Sequence, residues 1–411
     1  MSNYLIKEMQ DESSSKPSAA KGTFLCSLRE PINKVGSTGF ILEKINMNNN
    51  TNNVIVVAPS LDTRTNVSGV SAVVNFIIDN NKNIRYEHFL QGKSDLDNGG
   101  FLHRVIRIIC NYRKWKSLLC EKNGYLIHYN FPLDAPSIIR DYFFIRYAVK
   151  HNMPIVIHLH GGLYLFKEKK PWIIKKMLNH IFSWPCQFIV LSKKEKNAIE
   201  NEYGTDNVTV LPNCVDLREA KVFERDNCHD ETLHILYLGR IEPNKGVDYI
   251  LKAAEQLKNN DINFLLHIAG KDQCQDYYVT LFKESLKENF TYEGVVTGTA
   301  KTELLKKCQV FLLPSFYEGL PMSLLEAMSF GEVPVVTNVG SIGEVVKNGE
   351  NGMFVNVKDS HTIVEAVTRL YSDRELLQEL STESKSTILN QFSPEEYINK
   401  LNTIYDNYKI R

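Results

Sequence analysis

The sequence lacks paired cysteines, long apolar runs and an excess of charge, and each absence narrows what the protein can be. Its eight cysteines are scattered without CxxC spacing, which favours neither a zinc site nor a redox pair and is typical of reduced, cytosolic thiols. No uninterrupted apolar run approaches the ~18 residues needed to cross a bilayer, and the polar start MSNYLIKEMQDESSSK lacks the pattern of a signal peptide. The sequence therefore predicts neither export nor a membrane span.

The charge balance is neutral overall but divided along the chain. Lys plus Arg and Asp plus Glu both number 48, so net charge gives no reason to expect nucleic acid as a partner. Residues 54–210, however, contain 21 basic and 13 acidic side chains, whereas residues 211–411 contain 21 and 30. With 411 residues, 43% of them apolar, the chain predicts two or three globular domains with different roles, the basic one facing something anionic.

The first 53 residues carry little to bury. They run through DESSSKPSAAKG and end in MNNNTNN, a composition that predicts a disordered or loosely attached extension, 1–53. Met47 opens the Asn-rich run that leads straight into the first strand, so we hypothesise that Met47 is the true initiator. Native peptides from residues 1–46 in mass spectrometry would contradict this hypothesis.

From Val54 onward, short apolar strands alternate with segments of helical period, which predicts parallel βαβ units in doubly wound sheets. One α/β domain is expected over 54–212, a linker over 213–232 and a second α/β domain over 233–393, with a cleft between the two. A C-terminal helix, 394–411, is long enough to pack back toward the first domain. Strands are predicted at 54–57, 84–90, 125–129, 154–159, 187–191, 208–211, 233–238, 263–268, 293–296, 310–313 and 333–336.

The run EGLPMSLLE, 318–326, follows a buried strand and opens a helix near Pro321. Free backbone N–H groups between Gly319 and Ser323 offer a phosphate several donors and the positive end of a helix dipole. The carboxylates of Glu318 and Glu326 are then placed to bind hydroxyl groups on either side of that phosphate. The alternative is that both are ordinary solvated acids. The apolar neighbours of Glu326 speak against this, because they indicate that its carboxylate is buried, and burying an unpaired carboxylate without a function is costly.

The run GRIEPNKG, 239–246, also follows a strand. Arg240 and Lys245 lie in its loop, where a guanidinium fork and an ammonium point charge suit a diphosphate. Two basic loop residues are by themselves more often a solvated surface.

In the first domain, Ser68 and Gly69 open a helix after the first strand, although the full Gly-rich dinucleotide fingerprint is absent. Glycine there fits a tight turn or the close approach of a ligand. The strand ending in HLHGG places His158 and His160 on one face. Without a third ligand of suitable spacing, zinc is disfavoured, and a hydrogen-bonding or acid/base role for one of the two is favoured.

In this order the motifs resemble those of the retaining glycosyltransferases of family 4. EGLPMSLLE matches the E-x7-E motif of that family, and GRIEPNKG, VLPNCVD and HLHGG support the match. The resemblance extends from about Val54 to the C-terminus. It implies the GT-B fold, in which two Rossmann-like domains face each other across the cleft where the reaction occurs.

The resemblance implies a role for each candidate residue. Arg240 and Lys245 bind the donor diphosphate, Glu326 the ribose, Glu318 the hydroxyls of the transferred sugar, and His160 the sugar from the N-terminal domain. Gly69 lies near the phosphate or the acceptor. The further substrate-binding residues are Asn213, Gly319, Leu320, Pro321, Met322 and Ser323.

The family has no obligatory metal, and no DxD-type motif occurs in the cleft loops, so no cofactor is expected beside the nucleotide-sugar donor. Two positions depart from the family pattern: Cys214 stands where many relatives have Gly, and Gly343 where Pro is common. Neither departure removes a charged residue to which the resemblance assigns a role in substrate binding.

The predicted activity is transfer of a sugar from a nucleotide diphosphate to a glycan or a polyprenyl-diphosphate-linked acceptor with retained configuration, in capsule, O-antigen or exopolysaccharide assembly. Same-face attack is favoured because no carboxylate nucleophile is evident. The alternatives are an epimerase of the same architecture, which needs no acceptor, and a non-catalytic sugar-nucleotide-binding protein.

Two basic amphipathic segments, 102–122 and 165–178, hold many Lys and Arg among apolar residues that include Trp172. Such helices suit an anionic membrane surface, which would place the protein in the cytoplasm at the inner face of the cytoplasmic membrane. The alternative is an ordinary helix packed on its sheet with its lysines in water.

Overall fold

The structure, a computed structural model, describes residues 53–62, 66, 68–92, 100–162, 164–167, 169–225 and 231–409. The predicted extension 1–53, with the proposed start at Met47, lies outside the described residues except for Asn53.

The first half of the described chain builds a six-stranded parallel sheet. Its four inner strands are largely apolar and buried, which is typical of parallel sheets covered on both faces. Their spatial order is β2-β1-β3-β4-β5-β6, so the direction of winding reverses between β1 and β3. The strands are β1 (Asn53–Ala58), β2 (Arg85–Leu90), β3 (Leu126–Phe131), β4 (Ile155–Leu159), β5 (Gln187–Val190) and β6 (Val208–Val210).

Helices cover both faces of this sheet. Because β1 to β2 runs in one direction and β3 to β6 in the other, right-handed crossovers place α1 on one face and the next four helices side by side on the opposite face. The helices are α1 (Gly69–Asn80), α2 (Phe101–Glu121), α3 (Ala135–Lys150), α4 (Trp172–Phe182) and α5 (Lys193–Tyr203).

A short helix, α6 (Arg218–Val222), leads into a second six-stranded parallel sheet of order β12-β11-β10-β7-β8-β9. Here the winding reverses between β7 and β10. The strands are β7 (Leu233–Leu238), β8 (Phe264–Ala269), β9 (Phe290–Gly294), β10 (Val310–Leu313), β11 (Val333–Thr337) and β12 (Met353–Val355). The helices between them are α7 (Val247–Asn259), α8 (Tyr277–Leu286), α9 (Gly298–Lys307), α10 (Met322–Ser329) and α11 (Ile342–Val345).

Three helices end the chain: α12 (Ser360–Ser372), α13 (Arg374–Gln391) and α14 (Pro394–Lys409). The last of them returns to the first sheet. Tyr397, Leu401 and Tyr405 are buried in the same apolar cluster as residues of α1 and β4, and the side chain of Asn402 is hydrogen bonded to Asn81. The C-terminal helix therefore belongs spatially to the N-terminal half.

The predicted α/β fold with two doubly wound sheets is confirmed, and most predicted strands lie within two residues of their observed bounds. One predicted strand is misplaced, and several elements were not predicted. The strand expected at 293–296 is β9 at 290–294, because the half-exposed FTYEG has no clear apolar period. The predicted linker, 213–232, contains the helix α6. Three further helices, α5, α11 and α13, and the strand β12 were not predicted.

Candidate functional site

A cavity of about 450 Å³ lies between the two sheets, and all twelve predicted site residues line it. It is bordered by loops that follow β1, β4, β7 and β10. These are carboxyl ends of parallel strands, and β1 and β7 lie at the points where the winding of each sheet reverses. Ligands of open α/β sheets bind at such points.

Lys245 and Glu318 form an ion pair in the lining of this cavity. Lys245 Nζ lies 2.6 Å from Glu318 Oε1, and both side chains are mostly shielded from solvent. Their loops are joined, because the N–H of Phe316 donates to the carbonyl of Asn244 at 2.9 Å. The ammonium group and the carboxylate are therefore held at a fixed separation, an arrangement that suits binding of a substrate carrying both phosphate and hydroxyl groups.

Two glycines allow these loops to approach closely. Gly246 has φ of +76°, and a Cβ there would lie 2.2 Å from the carbonyl oxygen of Pro314. Gly340 has φ of +58°, and a Cβ there would lie 1.9 Å from the carbonyl oxygen of Glu318. A side chain at either position would displace the backbone that carries Lys245 or Glu318.

Arg240 borders the cavity from the loop after β7. The hydroxyl of Tyr237 donates to the carbonyl oxygen of Arg240 at 2.5 Å, which fixes the backbone. The guanidinium is about half exposed, and its Nη2 lies 3.4 Å from Glu242 Oε1. This loose ion pair leaves the guanidinium with donors for an anion.

The N-terminus of α10 supplies backbone donors to the same space. Its cap, Pro321, has no side-chain hydrogen bond to the first turn, so the first amides of the helix keep their donor capacity. Asn213, from the segment between the sheets, donates through Nδ2 to the carbonyl of Leu320 at 2.7 Å and holds this turn in place. Gly319, Met322 and the rest of the predicted turn line the cavity.

Glu326 faces the cavity from α10 and is paired with Lys301 of α9, whose Nζ lies 2.7 Å from Glu326 Oε1. Lys301 itself lines the cavity. Sequence reasoning missed this lysine, because nothing in the run GTAKTELLKK distinguishes it from the other lysines of α9.

His160 enters the cavity from the first sheet and is oriented by Asn130 of β3. Asn130 Nδ2 donates to the carbonyl of Val57 at 2.9 Å. Its Oδ1 therefore faces His160 Nε2, at 2.7 Å. Because an amide oxygen only accepts, His160 carries its proton on Nε2 and leaves Nδ1 as an acceptor. Burial lowers the pKa of His160 to about 3, with a smaller contribution from repulsion by His128 when that ring is protonated, so the ring of His160 is neutral near pH 7.

Behind His160 lies a buried chain of polar rings that the sequence did not indicate. The hydroxyl of Tyr405 lies 2.5 Å from His128 Nδ1, and His128 Nε2 lies 3.2 Å from His158 Nδ1. The ring of His158 lies 4.2 Å, centroid to centroid, from that of His160. Burial lowers the pKa of His128 to about 3 and that of His158 well below its usual value. The C-terminal helix thus contacts the site through neutral histidines.

Gly69 borders the cavity at the start of α1, which Ser68 caps by accepting from Ser71 N. A Cβ at Gly69 would meet no protein atom within 4 Å, so the packing of the protein does not require glycine there. Beside it, Asn66 Nδ2 donates to Ser71 Oγ at 2.7 Å, and both side chains line the cavity. This polar pair was also missed, although TNVSGVS carries a helix-capping signal.

The two halves touch directly around the cavity. A Cβ on Gly319 would lie 3.1 Å from Gly161 Cα. The carboxylate of Glu344, on α11, accepts from the N–H groups of Lys193 and Lys194 at 3.1 and 2.9 Å. A side chain of the second half therefore caps a helix of the first, where a negative charge is favourable.

The two departures from the family pattern have local structural correlates. Cys214 Sγ donates to the carbonyl of Phe392 at 3.0 Å, where the connecting segment meets the start of the C-terminal helix. A Cβ at Gly343 would lie 2.3 Å from Asn338 Oδ1. Neither position lies among the residues that line the cavity.

Comparison with known families agrees with this architecture. The profile described as Glycosyl transferases group 1 matches residues 219–387, and the profile described as Glycosyltransferase Family 4 matches residues 83–219. The two matches meet at the junction of the two halves and include loops on both sides of the cavity. The chain belongs to the glycosyltransferases that these two profiles describe, group 1 and family 4, and has the GT-B fold, as the resemblance of its motifs implied.

Individual proteins are similar to the chain over much of its length. The UDP-Gal:alpha-D-GlcNAc-diphosphoundecaprenol alpha-1,3-galactosyltransferase of Escherichia coli is 26% identical over 272 residues, which is 62% of this chain and 69% of that protein. An uncharacterized 41.2 kDa protein in the cps region of Klebsiella pneumoniae is 25% identical over 87% of this chain and 100% of its own. Sucrose-phosphate synthase from Thermosynechococcus elongatus shares the fold, with a TM-score of 0.71, 16% identity and coverage of 86% of this chain and 98% of its own.

Proposed function

We propose that the protein transfers a sugar from a nucleotide diphosphate to a lipid-linked glycan acceptor, with retention of anomeric configuration. One observation carries the proposal. Two cations, the free amides of a helix N-terminus and two carboxylates converge from the second half on a single cavity, and His160 faces it from the first half. A nucleotide-diphosphate sugar has the complementary groups: a diphosphate, a ribose and a sugar ring.

The chemical task is departure of a diphosphate from an oxocarbenium-like centre. Lys245, Arg240 and the first amides of α10 supply positive charge where negative charge develops. A well-placed donor of this kind contributes about 3 kcal/mol to transition-state stabilisation. Since these groups meet the electrostatic demand, we propose that the reaction needs no metal. Turnover that is unchanged by a chelator supports this, and turnover that stops and returns with added Mg²⁺ contradicts it.

Retention by same-face attack is supported by the state of the carboxylates. Glu318 is held at 2.6 Å by Lys245, and Glu326 at 2.7 Å by Lys301. Ion-paired carboxylates are weak nucleophiles, and both suit hydrogen bonding to hydroxyls instead. The departing diphosphate is then the base that accepts the proton of the acceptor hydroxyl. The coupling constant of the anomeric proton in the product distinguishes retention from inversion.

The acceptor is proposed from the relatives. The name of the Escherichia coli relative specifies a diphosphoundecaprenol-linked sugar as acceptor, and the Klebsiella pneumoniae relative lies in a cps region. We propose the same acceptor class here, in the assembly of capsule, O-antigen or exopolysaccharide, at the inner face of the cytoplasmic membrane. None of the helices within the described ranges is long and apolar enough to cross a bilayer.

The proposal is tested in two stages. Thermal-shift screening with uridine, guanosine and adenosine diphosphate sugars identifies the donor, because a ligand that binds the native state raises its apparent stability. Transfer is then measured with that donor and a short polyprenyl-diphosphate sugar. Nucleotide release that depends on the acceptor supports a transferase. Release or epimerisation without an acceptor, or tight binding without turnover on any acceptor, contradicts it.

A further inference from the structure

The outer face of the first sheet carries an unusual concentration of exposed apolar side chains. Of the fifteen large apolar side chains that are exposed in the described residues, nine lie between residues 102 and 173. They belong to the neighbouring helices α2, α3 and α4 and to the loop that precedes α4. Leu102 and Trp172 are 72% and 73% exposed, far beyond what core packing of these helices requires.

On α2 these side chains form a second stripe, separate from the stripe that packs on the sheet. Trp115 and Leu119 are buried, as expected of an amphipathic helix. Leu102, Ile106 and Ile109 follow one another at spacings of four and three residues and all face solvent. Ordinary packing therefore accounts for the C-terminal half of α2 and leaves the apolar stripe of its N-terminal half without a protein partner in the described residues.

The exposed apolar residues share a position in the fold. Each of the three helices follows the carboxyl end of a strand, so its first turns lie at the cavity side of the sheet. Ile106 lies in the second turn of α2, Phe143 in the third turn of α3 and Trp172 at the start of α4. The apolar surface thus lies toward the cavity side of the first sheet, although none of its residues lines the cavity itself.

The same face is strongly basic. Residues 100–182 contain 14 Lys or Arg and 4 Asp or Glu. The acids among the described residues are already engaged: Asp134 caps α3, Asp141 binds Arg140, and Glu121 binds Lys122. Exposed cations remain on the same helices, among them Arg113 and Lys114 of α2 and Lys175 of α4.

We infer that this face, formed by the exposed sides of α2, α3 and α4, is a membrane-docking surface for an anionic bilayer. Apolar side chains at the level of the acyl boundary and cations at the level of the headgroups are the pattern of interfacial helices. Docking there holds the cavity side of the first sheet toward the bilayer. The purpose of the surface rests on the proposed lipid-linked acceptor, since such a substrate reaches the active site only from the membrane.

The full chain is tested by flotation with two kinds of vesicle, phosphatidylcholine alone and an equal mixture with phosphatidylglycerol, without donor or acceptor. We expect binding to the mixed vesicles that weakens with salt. Replacing Leu102, Ile106 and Trp172 together by Ser should weaken it by about a hundredfold. The matched control replaces three exposed apolar residues of the other half, Val222, Tyr277 and Val357, by Ser and should leave binding unchanged.

A second variant tests the charge contribution. Replacing Arg113, Lys114 and Lys175 by Ser should weaken binding to the mixed vesicles by about a hundredfold and remove most of its salt dependence. Both variants should keep wild-type donor binding, which separates failure of docking from failure of the proposed transferase activity.

Equal binding to both kinds of vesicle, or equal binding by the apolar variant and its control, overturns the inference. So does sedimentation showing a dimer that only the apolar variant dissociates, because the surface is then an interface between two copies of the chain.

Discussion

The sharpest test of the site concerns the protonation of His160. Asn130 is fixed by its bond to Val57 and presents an acceptor to Nε2 of His160. In the neutral ring this bond fixes the proton on Nε2 and leaves Nδ1 as an acceptor for a sugar hydroxyl. With the pKa of His160 lowered to about 3, this group should not titrate between about pH 5 and 8, and transfer should show no dependence on it in that range.

Asn130→Asp changes this in a calculable direction. It places a carboxylate about 2.7 Å from Nε2, and a neighbouring opposite charge raises a histidine pKa by about one to three units. At 1.36 kcal/mol per unit, the imidazolium gains about 1.5 to 4 kcal/mol, and the pKa of His160 moves to about 4 to 6. Protonation occupies Nδ1, so the transfer rate of the variant should fall as the pH drops below about 6 and recover above it.

The assay is the pH profile of kcat for transfer, read beside ¹⁵N spectra of the ring nitrogens assigned by comparison with His160→Gln. Asn130→Ala is the control: it removes the acceptor and should lower the rate at every pH without a new titration. If Asn130→Asp keeps the wild-type pH profile, or if the wild-type spectrum shows the proton on Nδ1, then Asn130 does not set the protonation of His160.

Three further outcomes follow from contacts around the cavity. Gly69→Val should leave the unfolding midpoint unchanged while raising KM, because its side chain would fill ligand space; a lower midpoint with normal KM contradicts this. Lys301→Ala removes the ion pair of Glu326 and should weaken donor binding about tenfold. Calorimetry measures this, and equal donor affinities of the variant and the wild type would contradict it. Gly246→Ala should lower the free energy of unfolding by about 2 kcal/mol or more. Gly204→Ala, at a position with positive φ but open space, should lower it by only about 1 kcal/mol. Equal losses would show that a side chain at position 246 does not clash with Pro314.

Much of this architecture could be predicted from the sequence because the informative residues lie at strand ends. In a parallel sheet, topology brings those ends to one edge whatever the side chains between them. Glu318, Arg240 and Gly69 each follow a readable apolar strand, so their convergence on one cavity follows once the strands are assigned.

The failure to predict α5 has a physical cause. α5, KKEKNAIENEY, buries only two side chains, Glu195 and Ile199, so its apolar period is too weak to detect. Its ends are nevertheless marked: Ser192 caps it, with Glu195 three residues on, and Gly204 ends it with φ of +67°. Capping signals predict such a helix where hydrophobic periodicity does not.

The pairings within the site could not be predicted. Lys301 lies 25 residues from Glu326, and Asn130 lies 30 residues from His160. No local pattern links the members of either pair, and only the strand order places them side by side. For the same reason, the contact of Tyr405 with the buried histidines follows from where the last helix packs.

If fixed positive charge in the second half stabilises the departing diphosphate, the single-turnover rate of Lys245→Ala must fall. With the donor saturating and the fold checked by its unfolding midpoint, we expect a rate lower by about a hundredfold to a thousandfold. A rate close to that of the wild type would show that Lys245 does not act on the leaving group.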